Sequence, residues 1–71
     1  MKDWELQNQI KVQRAINNLT QEELAVKIGV TRKTINTIEN GKFVPSTILA
    51  IRLSRIFNIK VEDLFNLIDK Y

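Results

Sequence analysis

Residues 20–41 read TQEELAVKIGVTRKTINTIENG, and this stretch decides the fold. It opens with a capping box, in which the Thr20 hydroxyl can accept from the backbone N–H of Glu23 and the Glu23 carboxylate can accept from the N–H of Thr20. Apolar residues follow at helical spacing, and Gly29 can end the helix because glycine readily adopts the left-handed conformation. These features predict a helix over residues 21–28.

A second helix is predicted over residues 32–40. Thr31 is its N-cap, Ile35 and Ile38 face inward, and Gly41 ends it. Only about three residues separate the two helices, a spacing typical of the helix-turn-helix motif, whose second helix enters the major groove of DNA. Packed helix pairs of other kinds share this spacing, so the pattern alone leaves the function open.

The flanking sequence predicts further helices and no strand. The first helix is predicted to run from a cap at Asp3 to about Asn17, a fourth to follow the cap Ser46, and a fifth to span residues 61–68. The expected fold is therefore all-α, with five short helices in a single domain over residues 1–71.

The composition removes several functional classes. The chain has 71 residues, 44% of them hydrophobic, which suits a small globular domain. It contains no Cys and no His, so no disulfide, metal site or cofactor is expected, and an enzyme is the weakest hypothesis. No apolar run has the length of a transmembrane helix or the position of a signal peptide, so we expect a cytoplasmic protein.

The net charge of +3 lies in the middle of the chain. Residues 11–42 hold six basic and three acidic residues, whereas the rest of the chain holds five of each. A polyanion such as nucleic acid would be met by this segment, although a solvated basic face has the same composition.

The residue types on the outward face of the second motif helix indicate a DNA-binding surface and not merely a solvated one. With Ile35 and Ile38 buried, the exposed positions carry side chains suited to base edges: Arg can bind guanine, Asn can pair with adenine, and Thr offers a hydroxyl and a methyl group. Glu39 is the helix's one acid and lies near its C-terminal end, where the helix dipole disfavours negative charge, so it calls for a specific partner.

Three linked motifs resemble the XRE family of lambda/434 repressor and Cro-like regulators: Leu19–Ala25, Gly29–Asn36 and Ile38–Lys42. The likeness extends over about residues 8–68 and is strongest to the short single-domain members, of which the cytolysin repressor is one type. It implies a five-helix, lambda-repressor-like domain that binds double-stranded DNA and regulates transcription, most simply as a repressor.

The resemblance also implies residue roles. The positions that face bases are Arg32, Lys33, Asn36 and Thr37. The positions that contact phosphates are Gln21, Thr31, Asn40, Lys42 and the backbone around Phe43. An ion pair between Arg14 and Glu39 would tie the first helix to the third. Lys33 and Thr37 depart from residues common in the family, so no operator sequence carries over, and Gln13 stands where relatives have an apolar residue.

The segment over residues 46–68 carries more apolar residues than one small core needs. We expect it to complete the core and to form a homodimer interface, with a palindromic operator as the consequence. The residues expected there are Ile51, Leu64, Phe65 and Ile68. Scattered surface apolar residues are the plainer alternative.

A DNA-binding antitoxin is a second reading of the same motif. In that case the C-terminal apolar surface would contact a toxin instead of a second copy. Trp4 lies outside the shared pattern, and we expect it to pack on the domain surface without binding a ligand.

Overall fold

The computed structural model describes residues 4–69 as five helices and a two-stranded sheet. The elements, in chain order, are β1 (Trp4–Asn8), α1 (Ile10–Ile16), α2 (Gln21–Ile28), α3 (Arg32–Glu39), α4 (Thr47–Phe57), α5 (Val61–Leu64) and β2 (Phe65–Asp69). The expectation of five helices is confirmed, and the expectation of a purely all-α fold is wrong. Within residues 4–69, no helix has both the length and the apolar character needed to cross a membrane.

The two strands take the place of the start of the predicted first helix and the end of the predicted fifth helix. Strand β1 occupies residues assigned to the first helix, and α5 stops at Leu64 because β2 follows it directly. The strands pair antiparallel, with Leu6 opposite Leu67. Each strand obtains its backbone hydrogen bonds from the opposite end of the chain, which local spacing does not reveal. The cap predicted at Asp3 lies outside the described residues.

The helix-turn-helix segment forms as predicted because its signals are local. The Thr20 hydroxyl accepts from the Glu23 N–H at 3.0 Å, and the Thr20 N–H donates to the Glu23 carboxylate at 2.9 Å. Gly29 follows α2 in the left-handed conformation, with φ of 77°. Thr31 then caps α3 by accepting from the Thr34 N–H at 3.2 Å. The two helices are thus separated by three residues, 29–31.

One hydrophobic core joins all five helices and the start of β2. Its largest fully buried side chains are Ile10, Leu24, Ile35, Ile38, Leu53 and Leu64. Burial of each large aliphatic side chain contributes about 1.5–3 kcal/mol, so this core is the main stabilising term in a domain of this size. It fixes α3 by its inner face and leaves the outer face free.

Two residues expected in a dimer interface belong to this core. Leu64 is 0% exposed and Phe65 is 9% exposed in the single chain. Their side chains are already covered by the chain's own elements, so we correct their assignment from interface to core.

Candidate nucleic-acid interface

Helix α3 presents its predicted base-facing residues on one side of the domain. Ile35 and Ile38 anchor the helix in the core. On the opposite face of the helix, three of the predicted residues are exposed and one is half-buried: Arg32, Lys33 and Asn36 are exposed, and Thr37 is half-buried. The helix therefore carries two cations, an amide and a hydroxyl-bearing side chain on its outer face.

An ion pair fixes the end of this helix. The Arg14 guanidinium donates to both carboxylate oxygens of Glu39, at 2.6 and 3.0 Å, and also to the Leu19 carbonyl at 3.0 Å. The side chains of Arg14 and Glu39 are only 15% and 6% exposed. The hydrogen bond to Glu39 and its negative charge raise the pKa of Arg14 above the ordinary value. Glu39 thus has the partner that its position near the helix C-terminus calls for.

The Glu39 carboxylate also holds the first residue of α2. Gln21 donates through Nε2 to Glu39 Oε1 at 3.2 Å and to Asn36 Oδ1 at 3.3 Å. Asn36 Oδ1 accepts a second hydrogen bond from Asn40 Nδ2 at 3.4 Å. Arg14, Glu39, Gln21, Asn36 and Asn40 therefore form one hydrogen-bonded chain, which we call the α1–α3 network.

Thr37 has its hydroxyl turned to the helix backbone. Its Oγ1 lies 3.0 Å from the Lys33 carbonyl and 2.9 Å from the Thr34 carbonyl, and it donates to them. An open groove beside Thr37 is also lined by Phe43, which is 49% exposed. With its proton engaged inside the helix, Thr37 offers a ligand its methyl group and the accepting lone pairs of Oγ1, but no donor.

The turn after α3 places Lys42 and Phe43 beside the helix. The Gly41 N–H donates to the Ile38 carbonyl at 3.0 Å, and the Lys42 N–H donates to the Thr37 carbonyl at 2.9 Å. Gly41 has φ of 73°, while a Cβ there would meet nothing within 4 Å. Glycine is therefore required for its backbone conformation and not for space. Thr31 lies at the opposite end of α3, so the predicted phosphate-contacting positions bracket the base-facing ones.

Asn8 is a supporting residue that the sequence analysis missed. Its Nδ2 donates to the Ile38 carbonyl at 3.0 Å, and its Oδ1 accepts from the Ile10 N–H at 3.2 Å. One amide thus joins the end of β1, the start of α1 and the last turn of α3. An Asn just before a helical stretch is a capping signal, but the helix predicted through this region concealed it.

Comparison with known proteins agrees with this geometry. Residues 10–64 match the model of a helix-turn-helix family. The chain belongs to this family, in its XRE, or Cro/C1, type. The match begins at α1 and ends at the last residue of α5, so it includes Arg14 and the elements that complete the core.

The relatives of this helix-turn-helix protein are both archaeal and bacterial. It is 50% identical over 60 residues to an uncharacterized HTH-type transcriptional regulator of Methanocaldococcus jannaschii, covering 84% of this chain and 91% of the relative. It is 42% identical over 60 residues to the uncharacterized HTH-type transcriptional regulator YgzD of Bacillus subtilis, with the same two coverages.

Solved structures share the fold. A Bacteroides fragilis protein described as DNA-binding superposes with a TM-score of 0.77 at 28% identity, covering 86% of this chain and 98% of that one. The restriction-modification controller protein of Aeromonas hydrophila superposes with a TM-score of 0.71 at 24% identity, covering 78% of this chain and 83% of its own. The expected membership of the XRE family is confirmed.

Proposed function

We propose that this transcriptional regulator binds double-stranded DNA in a sequence-specific manner, as a homodimer on a palindromic operator, and acts as a repressor. The observation that carries the proposal is the outer face of α3, where Arg32, Lys33, Asn36 and Thr37 stand together on a helix fixed by its inner face. Side chains that recognise base edges in the major groove are of these types.

The surroundings of α3 suit the DNA backbone. Gln21 and Thr31 lie at the start of α2 and of α3, where backbone N–H groups and the helix dipole favour phosphate. The other end of α3 is followed by Asn40, Lys42 and the backbone at Phe43. A helix seated in the groove would thus have phosphate contacts on both flanks, and those contacts fix its register.

Arg32 is the side chain we assign to guanine. It is exposed at the first position of α3, where side chains of a recognition helix reach the base edges. Its guanidinium can donate two hydrogen bonds to guanine O6 and N7, a geometry that the single ammonium of Lys33 does not reproduce as well.

Repression needs only occupancy of the operator. A bound dimer that covers a promoter excludes polymerase, and no further activity is required of the protein. The proposal therefore asks of this chain only affinity and base preference.

The homodimer rests on exposed apolar residues outside α3. Ile51 on α4 and Leu67 on β2 are 41% and 58% exposed, and Ile68 is half-buried. Two copies would bury these side chains, and a two-fold pair would set its recognition helices about one DNA turn, roughly 34 Å, apart. Leu64 and Phe65 take no part, because they pack in the core of one chain.

Sedimentation equilibrium at tens of micromolar tests the dimer. We expect a dimer for the wild-type protein and a shift to monomer for Ile51→Lys, because a charge would be buried in the interface. Val26→Lys is the matched control, since Val26 is also an exposed aliphatic residue but lies on α2. A wild-type protein that stays monomeric contradicts the dimer, whereas equal weakening by both variants contradicts the placement of its interface at Ile51.

Selection of DNA from a random pool tests the proposed function as a whole. We expect enrichment of one motif with two-fold symmetry. Enrichment of no motif would reject sequence-specific binding, and enrichment of an asymmetric motif would reject the palindrome while leaving base recognition in place.

A further inference from the structure

We propose that Asn36 contacts DNA only as a hydrogen-bond donor, and that it therefore selects guanine at the base it faces. This inference rests on the proposed function and deepens it. It replaces the adenine pairing that the amide side chain alone suggests, and it follows from the polarity of the α1–α3 network.

The direction of the hydrogen bonds in this network is set at Glu39. Its carboxylate oxygens, held by Arg14, can only accept hydrogen bonds. Gln21 therefore has to present its NH₂ group to Glu39 Oε1, which lies 3.2 Å from Gln21 Nε2. A reversed Gln21 amide would set an oxygen against a carboxylate, with two acceptors facing one another.

The same NH₂ group fixes the next amide. Gln21 Nε2 lies 3.3 Å from the Asn36 side chain, so Asn36 has to offer its oxygen there. Asn40 Nδ2 approaches that oxygen from one helical turn further on, at 3.4 Å. Two donors thus point at Asn36 Oδ1, and the one from Gln21 is fixed by Glu39, so a reversed Asn36 would set its NH₂ group against the NH₂ group of Gln21.

This arrangement uses up the accepting capacity of Asn36. An amide oxygen has two lone pairs, and both are engaged by Gln21 and Asn40. Among the residues that the structure describes, Asn36 Nδ2 makes no hydrogen bond, and the side chain is exposed on the outer face of α3. What it offers to a ligand is two N–H donors.

Base edges differ in their response to a donor-only group. In the major groove, guanine presents two acceptors, O6 and N7, whereas adenine presents one acceptor and one donor. Bidentate pairing with adenine needs an accepting oxygen, and that oxygen is already occupied. Cytosine presents an N–H donor and opposes Asn36 directly. The order of preference is therefore guanine first and cytosine last.

Gln21 is a positioning residue in this account. It touches Asn36 and Glu39 but sets the base preference only through the direction of the Asn36 amide. Arg14 and Glu39 act through Gln21. The ion pair between α1 and α3 therefore determines which base edge Asn36 can pair with.

Selection experiments with three proteins test the inference. The base pair that Asn36 faces is defined as the one at which Asn36→Ala loses the preference shown by wild type. At that position we expect the wild-type protein to favour guanine over the other bases by roughly tenfold. Asn36→Asp keeps an oxygen for Gln21 and Asn40 but turns an acceptor outward, so we expect its preference to change from guanine to cytosine.

Gln21→Ala tests the positioning role. Once released from Gln21, the Asn36 amide can turn, so we expect adenine to become acceptable at that one base pair while preferences elsewhere in the motif are kept. A loss of affinity alone would not distinguish this role from a phosphate contact, so base preference is the readout. Thermal unfolding of each variant establishes that it is folded.

The inference and the proposed function fail in different ways. Wild-type selection of adenine at the Asn36 position, or a failure of Asn36→Asp to move the preference away from guanine, overturns the donor-only reading. An Asn36→Ala motif identical to that of wild type also overturns it, because Asn36 then contacts no base. In all three cases an enriched wild-type motif leaves the proposed function standing, whereas enrichment of no motif rejects both.

Discussion

The guanidinium of Arg14 donates two hydrogen bonds, of 2.6 and 3.0 Å, to the carboxylate of Glu39. This pair joins α1 to the last residue of α3, and it sits where both side chains are largely shielded from water. Through Gln21 the same carboxylate reaches the outer face of α3. A residue outside the helix-turn-helix therefore controls the geometry of the helix that we assign to base recognition.

Removal of Arg14 should destabilise the protein strongly. Arg14→Met leaves the Glu39 carboxylate shielded and without its cation, and we expect a loss of about 3 kcal/mol in the free energy of unfolding, measured by urea denaturation. The double variant Arg14→Met/Glu39→Gln removes the stranded charge and should lose less than the sum of the two single variants. A loss below about 0.5 kcal/mol for Arg14→Met would mean that the pair does not hold α3.

Thr37 should contact DNA through its methyl group. Because its hydroxyl donates to the α3 backbone, Thr37→Val should keep affinity for the selected operator, whereas Thr37→Ser should weaken it by about 1 kcal/mol. Fluorescence anisotropy measures both. Replacing the contacted thymine by uracil should weaken wild type and Thr37→Val but leave Thr37→Ser unaffected. The opposite ranking of the two variants would show that the hydroxyl makes the contact.

Lys42 should contribute a phosphate contact. Lys42→Ala should weaken binding to all sequences alike and reduce the slope of log K against log salt concentration by about 0.9. Lys60→Ala removes the same charge at an exposed site in the loop before α5 and should leave the slope unchanged. Equal slopes for Lys42→Ala and wild type would show that Lys42 makes no phosphate contact.

The capping box should weaken in acid. Hydrogen bonds from Thr20 hold the pKa of Glu23 below its ordinary value of 4.5, so the folded state favours the ionised carboxylate. Its contribution to stability is therefore complete above about pH 4.5 and is lost as the pH falls through the lower, folded-state pKa. Thermal unfolding should be measured as a function of pH. We expect the melting temperature of the wild type to exceed that of Glu23→Gln near neutral pH, and the difference between the two melting temperatures to shrink in acid.

Glu22→Gln is the control for that measurement. It removes the same charge from the first turn of α2 without touching the capping box. An effect common to both variants would come from charge alone, and a difference between wild type and Glu23→Gln that is independent of pH would contradict the account.

The elements that could be predicted from the sequence are those that short-range interactions hold. Helices α2 and α3 were predictable because their caps, at Thr20 and Thr31, bond within three residues of themselves. The strands were not, because Leu6 pairs with Leu67, and the apolar spacing from Val61 to Ile68 suits a helix as well as a short helix followed by a strand. Strand β2 begins where hydrogen bonds from β1 become available.

The same distinction applies to the site. The outward residues of α3 follow from Ile35 and Ile38 facing the core, so their common face could be predicted. The bond from Gln21 to Asn36 joins residues 15 apart, and the bond from Asn8 to Ile38 joins residues 30 apart. These contacts decide which atoms face outward, and no local pattern specifies them.

The central claim is that α3 recognises bases, and the base preference of Arg32→Ala compared with wild type tests it most directly. Binding of both proteins to the selected operator and to its single-base variants would be measured at one salt concentration. The account predicts that Arg32→Ala loses about 1–3 kcal/mol of discrimination at one guanine-containing base pair per half-site and keeps the remaining preferences. Unchanged affinity and unchanged preference at every position would contradict it.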